Sequence, residues 1–413
     1  MSNYPALILH NNKTHAVKRF HPWVFSGAVK KREGNPDQGD IVEVYSEGGE
    51  YLGTGHFGTG SVSARIFSFE KVTDLNALWL KRIKSAYELR KAAGLADNKH
   101  TNAYRLVNAE GDGMPGLIID WYNGTAVLQA HSKGMHHEKE NFVAVLKEVY
   151  GKDLLAVYDK SSSTLHHKPE SLESLDEETG KTTKQIIKPK GDDGYIFGSP
   201  SQKIILENGH QFAVDLEQGQ KTGFFIDQRD NRLLLSRYAA NKKVLNTFCY
   251  SGGFSVYALA AGASLVHSVD SSAKAIEWTD ENVKLNVAKT GQHQSFASDV
   301  FDFFKTSEES YDLIVIDPPA FAKGQSARHA AIKAYTRLNH AAFKKIKSGG
   351  IVFTFSCSQV VDQEMFLGAV TAAAIESGRN IRVLHHLSQP ADHPVSIYNP
   401  EGLYLKGLVV YVE

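Results

Sequence analysis

Five places in the 413-residue chain combine residue types able to do chemistry. They are Cys249-Tyr250-Ser251-Gly252-Gly253-Phe254, Asp270, Asp299, Asp317-Pro318-Pro319-Ala320-Phe321 and Ser356-Cys357-Ser358. Paired glycines allow a backbone to approach a bound group closely. Asp270 stands 17 residues beyond Gly253, the place of an acid that accepts both hydroxyls of a ribose. Two consecutive prolines remove two N–H donors and stiffen a turn, which leaves Asp317 and nearby carbonyls facing a ligand. Phe321 supplies a ring able to stack on a planar base. Turn chemistry alone explains the prolines, and helix capping alone explains Asp270 or Asp299. Neither explains why all of them follow apolar runs.

The glycine turn lacks the G-x-G-x-x-G pattern that holds a pyrophosphate. A nucleoside ligand without phosphates fits better, and S-adenosylmethionine is the obvious one. Cys357 decides the reaction type. The C5 carbon of a pyrimidine is too weak a nucleophile to take a methyl group from a sulfonium. A thiolate that adds at C6 turns the ring into an enamine-like species whose C5 can attack, splitting one hard step into two easier ones. The thiol pKa of about 8.5 is therefore expected to be lowered by the site. Asp317, as its acid or through water, is placed to protonate or hydrogen-bond the base at N3 and O2. Cys249 reads as packing, the usual fate of a free cysteine.

These residues need elements to hold them. From about residue 212 apolar strand-like runs alternate with helical ones. Strands are expected at 244–249, 265–269, 313–316, 351–355, 381–385 and 408–412, with a short one at 294–297. Helices are expected near 228–239, 254–262, 272–289, 328–347 and 362–378. In the fourth, Ala331, Tyr335, Leu338, Ala342 and Ile346 share a face, and Gly349-Gly350 supplies a stop. Alternation of this kind means an α/β fold, a mostly parallel sheet covered by helices on both faces. Ligands then bind at the carboxyl ends of the strands, where all five places fall.

The rest of the chain reads differently. Residues 1–72 look like short strands with frequent turns, a small β-barrel. Residues 73–195 form a central α+β unit, with a helix over 74–93, strands around an Asn123-Gly124 turn and a helix over 136–150. Within it, residues 160–194 are polar and are expected to be a linker, loop or exposed hairpin that adds little core. Residues 196–413 carry the chemistry. Net charge is zero, with 46 basic and 46 acidic residues, which excludes a globally basic nucleic-acid binder. Locally, residues 1–32 hold six Lys or Arg, among them Lys18 and Arg19, and no Asp or Glu. One-sided charge suits a phosphate backbone, though on charge alone a solvated terminus is the slightly better reading. No apolar run approaches the ~18 residues of a membrane span, and the first residues lack the order of a signal peptide. Two cysteines make neither a disulfide framework nor a multi-cysteine metal site, so a cytoplasmic, metal-free protein is expected.

Several runs carry a family resemblance that spans most of the chain. Lys18-Arg19-Phe20-His21-Pro22-Trp23-Val24-Phe25, Gly39-Asp40-Ile41-Val42 and Ala64-Arg65-Ile66 are similar to an N-terminal PUA domain, an RNA-binding β-barrel. Tyr104-Arg105-Leu106-Val107-Asn108-Ala109-Glu110-Gly111-Asp112-Gly113-Met114-Pro115-Gly116-Leu117-Ile118-Ile119-Asp120 resembles the start of a central domain. Gly219-Gln220-Lys221-Thr222-Gly223-Phe224-Phe225-Ile226-Asp227-Gln228-Arg229-Asp230-Asn231-Arg232 resembles the segment leading into a catalytic domain. Together they resemble the RlmI-like large-subunit ribosomal RNA methyltransferases, which make 5-methylcytidine with S-adenosylmethionine. The resemblance implies a Rossmann-like class I methyltransferase domain with a seven-stranded sheet. It implies that Asn246, Phe248, Tyr250, Ser251, Gly252, Gly253 and Asp270 hold the methionine and ribose parts of the cofactor. Asp299 would face the adenine, with Asp317 at the edge of the same site. It implies Cys357 as nucleophile and Asp317 as the acid of the base-binding turn. Pro318, Pro319 and Phe321 would meet the base, and Lys18 and Arg19 the RNA backbone. Many RNA cytosine methyltransferases carry a second cysteine where this chain has Ala320, so no residue is assigned to take the C5 proton.

Rivals differ in their need for Cys357. A guanine-N7 or exocyclic-amine methyltransferase on the same scaffold requires no thiol. A non-catalytic RNA-binding assembly factor requires neither the acids nor the thiol, and a dinucleotide oxidoreductase requires a different turn. Ribosomal RNA is the expected partner. A homodimer is compatible with the sequence but is not specified by it, nor is the target nucleotide.

Overall fold

The computed structural model describes residues 4–165, 170–175, 182–187, 193–199, 203–286, 292–322 and 324–413. Three sheets of five or more strands organise the described chain. The first is six-stranded and mixed, in the order Trp23–Phe25, Val62–Ser68, Tyr51–Phe57, Ile41–Ser46, Ala6–Leu9, Val29–Glu33. Its core is Leu7, Leu9, Val24, Val42, Val44 and Ile66, the inward residues of alternating strands. The second is five-stranded and runs from Gly194–Gly198 at one edge to Ala103–Asn108 at the other. Its edge strand thus continues past residue 195, where the sequence suggested a boundary.

Helix Leu75–Ala92 is capped by Asp74, whose carboxylate accepts from the Ala77 N–H. It buries Trp79, Ile83, Ala86 and Arg90, while Leu89 is exposed. The buried charge is paired: Arg90 makes two bonds to Asp112, at 2.6 and 2.8 Å. Asp392 then joins this unit to the third, accepting from the Arg105 N–H at 3.0 Å and from Arg229 at 2.8 Å. The helix expected over 136–150 is two, Lys133–His137 and Lys139–Tyr150.

The polar stretch 160–194 contains an antiparallel hairpin, Glu170–Leu175 with Thr182–Ile187. Residues 166–169, 176–181 and 188–192 lie outside the described residues. Its first two residues are buried polar ones rather than part of an apolar core. Lys160 and Ser161 are buried, and the Lys160 ammonium donates to the Leu216 and Gly219 carbonyls at 2.6 and 2.7 Å.

The third sheet has seven strands: β1 (Lys243–Thr247), β2 (Leu265–Asp270), β3 (Gln292–Ala297), β4 (Tyr311–Ile316), β5 (Ile346–Ser356), β6 (Ile381–Leu387) and β7 (Lys406–Val412). Their order is β3-β2-β1-β4-β5-β7-β6, with only β7 antiparallel to its neighbours. Order reverses between β1 and β4, so a ligand crevice opens at their carboxyl ends. Helices Arg229–Ala239 and Gly253–Ala260 share a core on one face, and Arg328–Lys345 and Gln363–Ser377 share one on the other.

Two local readings are corrected. β1 stops at Thr247 because Phe248 (φ 56°) and Tyr250 (φ 48°) adopt left-handed backbone. Helix Arg328–Lys345 ends without a glycine stop, since Ile346 is already extended and begins β5. Gly349-Gly350 instead lies where the register with β4 shifts between Tyr311 and Leu313. Among the described residues no helix is long and apolar enough to cross a membrane.

Candidate active site

The glycine turn is strained and firmly held. Asp270, closing β2, accepts from the Tyr250 N–H at 3.0 Å and from the Ser272 N–H at 2.9 Å. It holds the turn into the next helix, whose cap is Ser272 Oγ on the Ala275 N–H at 3.3 Å, and braces the glycine turn as well, and each carboxylate oxygen keeps lone pairs for a further donor. The Tyr250 hydroxyl accepts from the Gln220 N–H at 2.8 Å, which ties the turn to the segment before helix Arg229–Ala239. The glycines are required by the protein itself. A Cβ on Gly252 would lie 2.8 Å from Thr279 Cγ2, and one on Gly253 2.9 Å from Arg232 Cδ. Close packing therefore explains both glycines, where the sequence suggested only room for a ligand.

Asn246 lies in β1, fully buried. Its amide donates to Ser255 Oγ at 2.8 Å, while its Oδ1 has no partner. Asp227 Oδ1 is likewise buried and unpartnered. Orphaned acceptors are costly unless something donates to them. With Asp270, they offer a positively charged amine and a pair of ribose hydroxyls the groups they need, so these residues fit S-adenosylmethionine. Ser251 is buried beneath the turn, and its carbonyl accepts from the equally buried Asn282 amide at 2.8 Å. Phe248 is half-buried against the second core. Asp299 caps helix Val300–Thr306, its Oδ1 accepting from Phe301 N at 2.8 Å and Asp302 N at 3.3 Å. It is exposed at the end of β3, with Oδ2 outside that cap.

At the ends of β4 and β5 the Asp-Pro-Pro turn meets the cysteine. The Cys357 thiol points at the Pro318 carbonyl, 3.9 Å away. Pro318 is buried, so it offers its carbonyl and not its ring, while Pro319 is exposed. Phe321 leans on Tyr335 at 4.8 Å between centroids, tilted by 52°, and is partly buried against the same core. The serines beside Cys357 are structural. Ser358 Oγ accepts from the Ala322 N–H at 3.3 Å and bonds the Tyr335 hydroxyl at 2.9 Å, fastening the two turns together.

Sequence reasoning missed the residues behind this pair. Asp227 Oδ2 accepts from Lys221 at 3.0 Å and from the Tyr404 hydroxyl at 2.6 Å. Burial opposes its charge, but Lys221, His393 and Tyr404 hold it well below the usual carboxylate range. Asp317 feels the reverse. Burial and then the Asp227 charge push it up to about 7, against a hydrogen bond from Gln228. The Cys357 thiol is pushed up to about 11 by burial and by Asp317. This corrects the expected lowering: a carboxylate neighbour and desolvation outweigh Lys221 and Lys406, so the resting form is the thiol. The run 219–232 was visible in the sequence, yet nothing in its residue types said that Lys221, Asp227 and Gln228 would fold beneath Asp317.

Lys18 and Arg19 lie apart from this cluster, at and just past the short helix His15–Lys18 and beside exposed Phe20. The basic stretch is less one-sided in space than in sequence. Lys18 pairs with Glu50, Lys30 with Glu47 and Lys31 with Glu33. Such exposed pairs are worth about 0–1 kcal/mol and yield readily to a phosphate. The loop before β7 links the two regions, through Phe20 against Tyr398 at 5.4 Å and Asn399 near His21 at 3.4 Å.

Residues 180–400 match the family of S-adenosylmethionine-dependent methyltransferases, and residues 7–69 match a PUA-like domain. Two proteins named ribosomal RNA large subunit methyltransferase I are similar along their whole length. That of Aeromonas hydrophila is 36% identical over 414 residues, covering 98% of each chain. That of Escherichia coli strain SMS-3-5 is 34% identical over 411 residues, covering 98% of this chain and 99% of that one. Among solved structures, a candidate methyltransferase complexed with SAH superposes with a TM-score of 0.81 at 24% identity, over 98% of this chain and all of that one. A second, from Streptococcus mutans, gives 0.80 at 24% identity, with the same coverage. At that identity the superpositions speak for the fold.

Proposed function

The chain belongs to the ribosomal RNA large subunit methyltransferase I family of S-adenosylmethionine-dependent enzymes, and on that premise we propose that it methylates carbon 5 of a cytidine in large-subunit ribosomal RNA. The observation that carries this reading is the Cys357 thiol against the Pro318 carbonyl, with Asp317 one residue before that proline. A nitrogen methyltransferase has no use for a thiol at that point. The cofactor, when bound, supplies the electrophilic methyl group. Asn246, Phe248, Tyr250, Ser251, Gly252, Gly253, Asp270, Asp299 and Asp317 form its site in this reading. Cys357 adds to C6, and Asp317 donates to the base edge as charge develops there. Once C5 has lost its proton, the C5=C6 double bond re-forms, the S–C6 bond breaks and sulfur leaves as the thiolate. Residues 1–72 hold RNA, 73–195 join the two ends, and 196–413 carry cofactor and chemistry.

Nucleoside mass spectrometry of ribosomal RNA from a strain lacking the protein tests the reading. One 5-methylcytidine should vanish from the large-subunit RNA and return with the wild-type gene. Loss of a methylated guanine or of an N-methylated base instead would favour the rivals.

Asp317 makes the reaction pH-dependent in a defined direction. Its acid form dominates below about pH 7 and is lost as pH rises through that value. The donor is therefore withdrawn on the alkaline side. Asp317→Asn keeps a donor and cannot ionise, so it should flatten that fall in kcat/KM while lowering the maximum. A variant whose profile still falls as steeply would remove Asp317 from the role.

Phosphate contact by Lys18 and Arg19 is testable by salt. Deleting residues 1–72 is a poor test, because Trp79 packs on Phe67 at 5.0 Å and would be uncovered. The double change Lys18→Gln with Arg19→Gln should weaken RNA binding and reduce the slope of log affinity against log salt by about 1 to 2. Cofactor affinity should stay the same. An unchanged slope would place the RNA elsewhere.

A further inference from the structure

Lys406 opens β7 in register with Ser356 of β5, so its backbone lies across from the residue before the nucleophile. Its side chain is buried, at 5% exposure, and its Nζ donates to the Ser358 carbonyl at 2.7 Å, the residue after the nucleophile. The lysine thus meets the backbone on either side of Cys357, at Ser356 through its own main chain and at Ser358 through its ammonium. One carbonyl satisfies one of three N–H donors. Among the described residues no carboxylate forms an ion pair with it, whereas Lys221 is committed to Asp227 at 3.0 Å. A buried ammonium without a counter-ion is costly, and it is relieved by losing its proton or by gaining an anion.

We propose that Lys406 takes the proton of the Cys357 thiol and, as an ammonium, holds the resulting thiolate for its attack on C6. This rests on the cysteine-C6 reading above. In the step the S–H bond breaks and an N–H bond forms. The electron pair left on sulfur makes the S–C6 bond as the C5=C6 π bond breaks, and the displaced pair gives the enamine-like ring whose N3 takes a proton from Asp317. The charges around the pair agree with the assignment. Burial pulls Lys406 down to about 8, against the pull of Cys357 and Asp362, so a fraction of it is the free amine near neutral pH. Asp317 and Asp227 oppose a thiolate at Cys357, while Lys221 and Lys406 favour it. Of the two cations, Lys406 is the one free of a carboxylate partner.

Alkylation of Cys357 by iodoacetamide tests this in the full-length protein, followed by mass spectrometry from about pH 6 to about pH 10. Lys406→Met should slow alkylation about tenfold or more near neutral pH and move the curve to higher pH. Lys406→Arg keeps the cation but cannot take a proton, so it should recover most of the alkylation while methyl transfer stays far below wild type. Cofactor affinity, measured by calorimetry, reports whether each variant is folded. Lys406→Gln keeps a donor for the Ser358 carbonyl and replaces the methionine variant if that one fails to bind cofactor. A folded variant without the charge, alkylated along the wild-type curve, would overturn the proposal. The two readings fail separately. Methylation that survives in Cys357→Ala would sink the cytosine-C5 reading and leave the alkylation result standing. An unmoved alkylation curve beside an inactive Cys357→Ala would sink only the role of Lys406.

Discussion

Replacing Cys357 by alanine is expected to cut methyl transfer by a thousandfold or more, on the order seen when a nucleophile that forms a covalent intermediate is removed. Cofactor and RNA binding should stay close to wild type. The thiol makes one weak contact, to the Pro318 carbonyl at 3.9 Å, and the fastening of the two turns runs through Ser358 instead. Cys249→Ala is the control. Its sulfur is buried, lies 3.5 Å from Thr279 Oγ1, and is pushed up to about 12 by burial, so it is neither accessible nor ionised. That variant should lose about 1 kcal/mol of packing and keep most of its activity. Single-turnover assays on both variants, with binding measured separately, distinguish lost chemistry from lost affinity.

The second large effect is expected at Asp270. Its carboxylate braces the turn through Tyr250 N and Ser272 N and, in this account, also accepts the ribose hydroxyls. Removing a charged partner of a hydrogen bond costs roughly 1.5–3 kcal/mol. Asp270→Ala should therefore weaken cofactor binding by about tenfold to a hundredfold. Asp270→Asn keeps an acceptor for the Tyr250 N–H and should lose less. Calorimetry returning wild-type affinity for the alanine variant would take the ribose away from Asp270.

The sheet was legible because its central strands β1, β2, β4 and β7 are short apolar runs bounded by turns, whereas β3, Gln-His-Gln-Ser-Phe-Ala, carries only a weak signal. Strands at the carboxyl ends of such runs bring Asp270, Asp299, Asp317 and Cys357 to one edge by topology alone. What stayed hidden depends on side chains meeting across long separations. Asp227 shares a hydrogen bond with Tyr404, 177 residues away. Lys406 reaches the carbonyl of Ser358 across two antiparallel strands, and at the start of an apolar run it reads as an ordinary flanking charge. The direction of the Cys357 shift was hidden for the same reason. Only burial and the position of Asp317 reveal that the thiol is held neutral. Likewise Phe248 and Tyr250 end β1 early because they adopt left-handed backbone, a conformation that aromatic residue types do not announce.

The central claim is a covalent bond between Cys357 and C6 of the target base. RNA carrying 5-fluorocytidine at the target tests it most directly, because fluorine at C5 cannot leave as a proton does and the adduct persists after methyl transfer. The wild-type protein should give a denaturation-resistant protein–RNA band whose peptide map places the RNA on Cys357, and Cys357→Ala should give none. Turnover of the fluorinated RNA without any trapped band, or methylation of ordinary RNA by Cys357→Ala at the wild-type rate, would contradict the account.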